Sequence, residues 1–278
     1  MNKNSNIYII VYSTILVVVV AAVLAYASIS LKPMQEANIR VEKMGAILAS
    51  IGQGKDVATS PLGKDKYIEE EYAKYIVSSF SVDPQGNKVD GEDAFKALNN
   101  IKAVFAAKKA FPVFEARKDD GKTLYVFPLS GAGLWGPVWG YLALNDDCNT
   151  VYGAIFDHKS ETPGLGAEIA TPAFSASFVG KKLFDGDQFR PVQLTKGVGS
   201  SIDNPYAVDG ISGGTLTSNG VSAMLKTCLG DYLPFMEKVR AARAVIDTSS
   251  MMVVDSMAVA SGDSVVPMTK LTPAQKIK

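Results

Sequence analysis

The sequence predicts an α+β protein: one N-terminal transmembrane helix, then a water-exposed domain with a mostly antiparallel sheet and flanking helices. Three observations predict it. Ile7 to Leu31, IYIIVYSTILVVVVAAVLAYASISL, carries no charged residue and is long enough to cross a bilayer as a helix. Between residues 110 and 158, two pairs of apolar runs flank KDDGK and DDCN, the pattern of two hairpins. Helical periodicities precede and follow these runs, and strands grouped between helices build an α+β domain rather than an alternating one.

The first segment sets the organisation. Residues 1–6 form a short N-terminal stub, 7–31 the span, 32–246 the water-exposed domain and 247–278 an extended tail. Tyr8, Tyr12 and Tyr26 lie near the ends of the apolar run, as interfacial anchors do. Ala25–Ala27, AYA, resembles a signal-peptidase site, but the run is longer than a usual signal core and reads as a retained anchor. One lysine, Lys3, precedes the span, whereas Lys32, Arg40 and Lys43 follow it. This count places the domain inside, yet the rule loses force for long domains.

Beyond the anchor, Ala37, Val41, Met44, Leu48 and Ile51 recur at helical spacing, and Gly52 and Gly54 stop the helix. KDKYIEEEYAKYIVSSF places Ile68, Tyr72, Ile76 and Phe80 on one helical face, with Asp83-Pro84-Gln85-Gly86 ending it. A short helix is expected over Glu92–Asn99. AFPVFEAR and TLYVFPL pair across Asp120-Gly121, and WGYLALN and TVYGAIFDH pair across DDCN. A helix near Phe174–Leu183 and a strand near Phe189–Leu194 follow. VSAMLKTCLGDYLPFMEKV is helical, with Gly230 and Pro234 as breaks. From Asp247, short apolar patches alternate with Ser, Asp and Pro without a sustained period.

Composition narrows the chemistry. The 278 residues are 47% hydrophobic and carry 28 basic and 28 acidic side chains, a balance that gives no reason to expect nucleic acid. Cys148 and Cys228 lie far apart and match no metal or redox spacing. His158 is the single histidine, which excludes a multi-histidine zinc site and reads as an ordinary residue at a strand end. No metal site is expected. Any chemistry is therefore expected to reside in a bound cofactor.

Three stretches are candidates for holding one. In SGAGLWGPVWGYLAL, Ser130 to Leu144, glycines surround Trp135 and Trp139, allowing backbone to approach a flat ligand; a tight bend feeding a core strand is equally consistent. In HKSETPGLGAEI, His158 to Ile169, Thr162-Pro163-Gly164-Leu165 fits a type II turn. There Glu161 or Thr162 offers hydrogen bonds, Leu165 an apolar contact and Gly166 a close approach. The third is DGISGGTLTSNGV, Asp209 to Val221, with Ser218 or Asn219 as N-cap of a helix beginning near Val221. Thr215 and Thr217 then precede a helix N-terminus, where amides and dipole favour a phosphate. No Gly-Lys-Ser/Thr ending follows, so this is not a P-loop.

Asp209-Gly210-Ile211-Ser212-Gly213-Gly214-Thr215 resembles the target sequence of flavin transferases: Asp, two variable positions, Ser or Thr, then Gly-Ala-Thr. Gly214 stands where alanine is usual. The anchor, GLWGPVWGYLAL, ETPGLG and SGGTLTSNGV also occur in the order found in the C subunit of sodium-translocating NADH:quinone oxidoreductases. The chain resembles that family from residue 1 to about 245, and the flavinylation motif is shared with the related G subunit of Rnf complexes and with other FMN carriers.

The resemblance implies FMN attached to Thr215 by a phosphoester bond, with Asp209 and Ser212 read by a magnesium-dependent FMN transferase. It implies that Ser212, Gly213, Gly214, Leu216 and Thr217 contact the flavin or its chain. Glu161, Thr162, Leu165, Gly166 and Trp135 are implied neighbours of the isoalloxazine. It further implies an electron carrier within a bacterial inner-membrane complex, its domain periplasmic against the charge count, with NADH and quinone bound by other subunits. An Rnf-type subunit, a stand-alone FMN shuttle and a redox-silent anchored assembly protein are the alternatives.

Overall fold

The computed structural model describes residues 6–260, Glu92 and Val198 excepted. A single helix, α1 (Asn6–Ser50), fuses the expected span with the expected amphipathic helix. Apart from Pro33, which the helix accommodates, no turn-forming residue lies between Leu31 and Ala37. Its first half is exposed and apolar enough to cross a membrane. Val41, Met44, Ile47 and Leu48, near its end, are buried in the domain, as is Ile51 just beyond it. Gly52 and Gly54, at φ 73° and 75°, terminate it as expected.

Helix α2 (Lys64–Tyr75) gives way to strand β1 (Ile76–Val82), so Ile76 and Phe80 do not continue its helical face. Pairing explains the difference. Antiparallel β3 (Phe111–Arg117) supplies β1 with backbone partners from Ile76↔Ala116 to Val82↔Phe111, and β-branched Ile76 and Val77 suit a strand. Asp83–Gly86 is then a hairpin turn, with Asp83 Oδ1 accepting from the amides of Gln85 and Asn87, and leads into β2 (Lys88–Val89). Helix α3 (Ala94–Asn99) ends where expected and starts at Ala94 rather than Glu92, capped by the Asp93 carboxylate. Helix α4 (Ile101–Ala107) has no counterpart in the sequence reading.

Both hairpins form as expected. Strand β3 turns at Lys118–Gly121 into β4 (Thr123–Ala132), and β5 (Pro137–Asn145) turns around Cys148 into β6 (Val151–His158). The sheet order is β2-β1-β3-β4-β5-β6, antiparallel throughout. Its central strand β4 is buried on both faces. Leu124 and Val126 join a core with α1, whereas Phe127 and Leu129 join the core beneath the C-terminal helix.

The second half departs further from expectation. The helix expected over Phe174–Leu183 is only α5 (Pro172–Ala176), and Gly180 beyond it adopts φ 79°. Arg190-Pro191 splits the strand expected over Phe189–Leu194, because proline has no amide for a ladder. The pieces belong to β7 (Phe184–Asp185) with β8 (Gln188–Phe189), and to β9 (Gln193–Thr195) with parallel β10 (Ala207–Asp209).

Helix α6 (Thr215–Ala260) runs unbroken through Gly230 and Pro234. Burial of Tyr232, Phe235 and Met236 outweighs the hydrogen bond lost at proline. The Tyr232 hydroxyl also donates to the carbonyls of Pro112 and Pro128, at 2.9 and 3.2 Å. Residues 247–260, expected as the start of an extended tail, are helical; 261–278 lie outside the described residues. Cys148 and Cys228 are both buried and free.

Helix α6 crosses β4 at Gly220, where a Cβ would overlap the Ala132 carbonyl oxygen. Gly220→Ala gains up to about 1 kcal/mol of helix propensity, but the overlap is with rigid backbone and costs about 1–3 kcal/mol. We expect a net lowering of Tm by a few degrees in thermal melts of the detergent-solubilised chain, and an unchanged or raised Tm would refute this contact.

Candidate functional site

Three loops meet at one end of the sheet. The β4–β5 connection is closed by the Gly133 amide donating to the Gly136 carbonyl at 2.8 Å. The chain leaving β6 is tied to it, because the Lys159 amide reaches the Pro137 carbonyl and the Ser160 hydroxyl reaches the Trp135 carbonyl. The third loop, Gly210–Gly214, enters α6.

Glu161 joins them. Its side chain is only 5% exposed. Oε1 accepts from the Trp135 amide at 2.8 Å, and Oε2 from the Thr217 hydroxyl at 2.6 Å. Burial works against its charge, but the Thr217 hydroxyl and the amides of Trp135, Leu134 and Gly136 outweigh it and hold the carboxyl below its ordinary range. Gly133 and Gly166 flank it so tightly that a Cβ on either would overlap a carboxylate oxygen. His158, at the end of β6, accepts the Glu161 amide at Nδ1.

Thr162–Leu165 forms the expected turn, with the Leu165 amide donating to the Thr162 carbonyl at 3.1 Å and Gly164 at φ 74°. Leu165 lies over Gly213, where a Cβ would strike its side chain, and Gly214 faces the Cα of Gly166. A methyl group at Gly214 would stand 3.0 Å from Ile211 Cγ2 and 3.3 Å from the Gly166 Cα, so the alanine of the motif would fit here only if those neighbours gave way.

Helix α6 begins at Thr215, not near Val221. Ile211–Gly214 closes a turn, with Gly213 at φ 74° and the Gly214 amide on the Ile211 carbonyl, and the Ser218 amide then makes the first helical bond to Gly214. Ser218 is therefore not the N-cap. Its buried hydroxyl accepts from the Ile211 amide at 3.0 Å. Thr215 is exposed in the first turn, whose amides have no carbonyl four residues back within the helix. Thr217, by contrast, is 1% exposed and faces Glu161.

The structure thus brings together Trp135, Glu161, Leu165, Gly166, Gly213, Gly214 and Thr217. Leu134, Trp135, Leu165 and Leu216, on or beside these loops, are exposed, Trp135 by 66% and Leu216 by 59%. Asp209 points elsewhere: its carboxylate accepts from the Gly199 and Ser201 amides and the Ser200 hydroxyl. Ser212 is exposed and, with Thr215, lines a cavity of about 250 Å³ that also includes Thr195, Lys196 and Asn219. Lys196 was not foreseen, because only the β9–β10 pairing brings it near Thr215. A larger cavity of about 670 Å³, between α1, α3–α4 and the sheet, shares no residue with the cluster.

An exposed threonine at a helix start, a cavity lined by a lysine and exposed apolar side chains on the adjoining loops suit a ligand with a phosphate and a flat ring system. Residues 133–230, which contain all three loops, match the FMN-binding domain family. The class is therefore that of FMN-binding domains on a single N-terminal membrane helix.

Comparison over most of the chain is more specific. The C subunit of the Na(+)-translocating NADH-quinone reductase of Neisseria meningitidis serogroup A is 33% identical over 84% of this chain and 96% of its own length. The crystal structure of the corresponding protein of Parabacteroides distasonis is 43% identical with a TM-score of 0.66, covering 74% of this chain and 96% of that one. Shewanella oneidensis NqrC is 26% identical with a TM-score of 0.60, covering 73% and 98%. The chain belongs to the family formed by the C subunits of Na(+)-translocating NADH-quinone reductases.

Proposed function

We propose that this protein is a single-span electron-carrier subunit with FMN joined to Thr215 by a phosphoester, working inside a sodium-translocating NADH-quinone reductase. The observation that carries this reading is the position of Thr215. Its side chain is exposed in the first turn of α6, where it lines the 250 Å³ cavity beside the exposed Leu216. When bound, FMN supplies electron transfer, relayed between neighbouring redox centres toward quinone.

The residues hold and shape that site. Thr215 Oγ1 carries the phosphate, and Ser212, Gly213, Gly214, Leu216 and Thr217 surround its attachment. Leu165 and Trp135 lie against the isoalloxazine. Thr162 and Gly166 border it, while Glu161 fixes the loops on which these groups stand. A tether keeps the ring at high effective concentration, so it need not be enclosed and stays open to an electron partner. NADH and quinone bind other subunits. An FMN transferase acts during maturation, reading Ser212 directly and Asp209 through the 199–201 loop that it holds.

We further propose that residues 1–6 face the cytoplasm, 7–31 span the inner membrane and 32–246 lie in the periplasm. Protein made with its transferase should gain the mass of one FMN less water per chain, with flavin fluorescence that survives denaturation. A tag after Lys278 should be cleaved by protease added outside intact spheroplasts. An unmodified mass would refute the covalent cofactor, and a protected tag the orientation.

A further inference from the structure

We propose that Lys196 binds the phosphate that links flavin to Thr215, and that it assists formation of that bond. The proposal rests on the covalent-FMN reading above. Its basis is a juxtaposition that the strand pairing creates. Parallel β9 and β10 set Thr195 opposite Asp209, and the Gly210 amide then donates to the Thr195 carbonyl at 2.8 Å. Lys196 and Gly210 therefore leave adjacent strands side by side, and both line the cavity beside Thr215.

Lys196 is the only charged residue among those lining the cavity. The neighbouring carboxylate, Asp209, is already occupied by the 199–201 loop, where the Ser201 amide reaches Oδ1 at 3.0 Å. Thr195 Oγ1 and Ser200 Oγ, 2.7 Å apart, close the same loop over β9. Gly197 and Gly199 adopt φ 96° and 80°, and Asp209 holds residues 199–201. Asp209 satisfies the loop without placing its charge in the cavity. Lys196 is left as the cation there, and a phosphodiester retains one negative charge.

Attachment needs an activated donor, because unactivated FMN would have to expel hydroxide or water. With a flavin dinucleotide, Thr215 Oγ1 loses its proton to a base on the transferase and bonds to the flavin-side phosphorus. The pyrophosphate P–O bond breaks, and the nucleoside monophosphate leaves with the electron pair. Nothing is oxidised or reduced. Lys196 offsets charge on the phosphoryl oxygens as the new bond forms, and it pairs with the finished diester.

The test is the rate of FMN addition to the full chain in detergent, given its transferase, Mg²⁺ and flavin dinucleotide and followed by intact mass. Lys196→Met should slow addition by about tenfold or more, and Lys196→Glu further. Lys196→Arg should stay within about threefold of wild type, since it keeps the charge. Added salt should slow wild type more than Lys196→Met. Wild-type rates in Lys196→Met and Lys196→Glu, beside a wild type that is modified at Thr215, would overturn the role of Lys196 alone. A wild type that gains no flavin would overturn the covalent reading and this proposal with it. The side chain is exposed, so all three variants should fold, and matching thermal melts check this.

Discussion

Thr215→Ala should give a folded chain that carries no covalent flavin, its occupancy falling from one per chain to none. Availability of the hydroxyls decides this. Thr217 is 1% exposed and donates to Glu161 at 2.6 Å, and Ser218 is 5% exposed and engaged by the Ile211 amide. Ser212 is exposed but lies outside the helix, before Gly213 and Gly214. Thr215 alone combines exposure with the first turn of α6.

Alanine at that position keeps the helix. It is the better helix former by less than about 1 kcal/mol, and an exposed side chain is removed without leaving a cavity. Tm should therefore move by no more than about 2 °C. Thr215→Ser, which keeps a hydroxyl at the same place, should retain the adduct. Intact mass of the three proteins decides: an FMN adduct persisting in Thr215→Ala would place the attachment on another residue. Without the tether, any flavin retained should be lost on dilution or denaturation.

The features that were legible in the sequence depend on neighbours a few residues apart. The uncharged run at Ile7–Leu31, the glycine stop at Gly52 and Gly54, the Asp120-Gly121 hairpin and the Thr162–Leu165 turn all have local causes. What was misread depends on distant partners. Ile76–Val82 fits a helical stripe until β3 arrives, some 30 residues later, to pair with it. Pro234 reads as a break until the packing of Tyr232 and Phe235 on the sheet is known.

The site divides along the same line. Its motif was recognisable as a string, yet the start of α6 was placed six residues late, because Ser218 has the chemistry of a cap. In the fold that hydroxyl serves Ile211 instead. Asp209 and Lys196 illustrate the remainder. The acidic letter of the motif supports a loop, and the cation in the cavity belongs to another strand that no spacing rule connects to Thr215.

Glu161→Ala should be the most damaging single change at the site, lowering stability by about 3 kcal/mol. In the native protein one carboxylate accepts from the Trp135 amide and the Thr217 hydroxyl, in a place where Glu161 is 5% and Thr217 1% exposed. Alanine leaves the buried Thr217 hydroxyl and the part-buried Trp135 amide without that acceptor, and hydrogen bonds to a charged group are worth about 1.5–3 kcal/mol each. Gly133 and Gly166 are shaped around the carboxylate, so neither loop can close the gap with a side chain of its own. Tm should fall by about 6–12 °C, and the Trp135 loop should lose its fixed position beside Thr215.

Glu161→Gln separates charge from shape. It retains one carbonyl acceptor but places an amide against donors, so the expected cost is about 1–2 kcal/mol at pH 7. The pH dependence has a definite sign. The folded protein holds the Glu161 carboxyl below its ordinary range, and the unfolded value is about 4.3. The stabilisation is therefore fully present above the unfolded value and is lost as pH falls through the lower, folded one. The difference between wild type and Glu161→Gln should be constant from neutral pH to about 5, and should shrink below about 4. Denaturant titrations of both proteins across that range test it. A difference that persists undiminished in acid, or an alanine variant within about 0.5 kcal/mol of wild type, would mean that the carboxylate does not hold the three loops together.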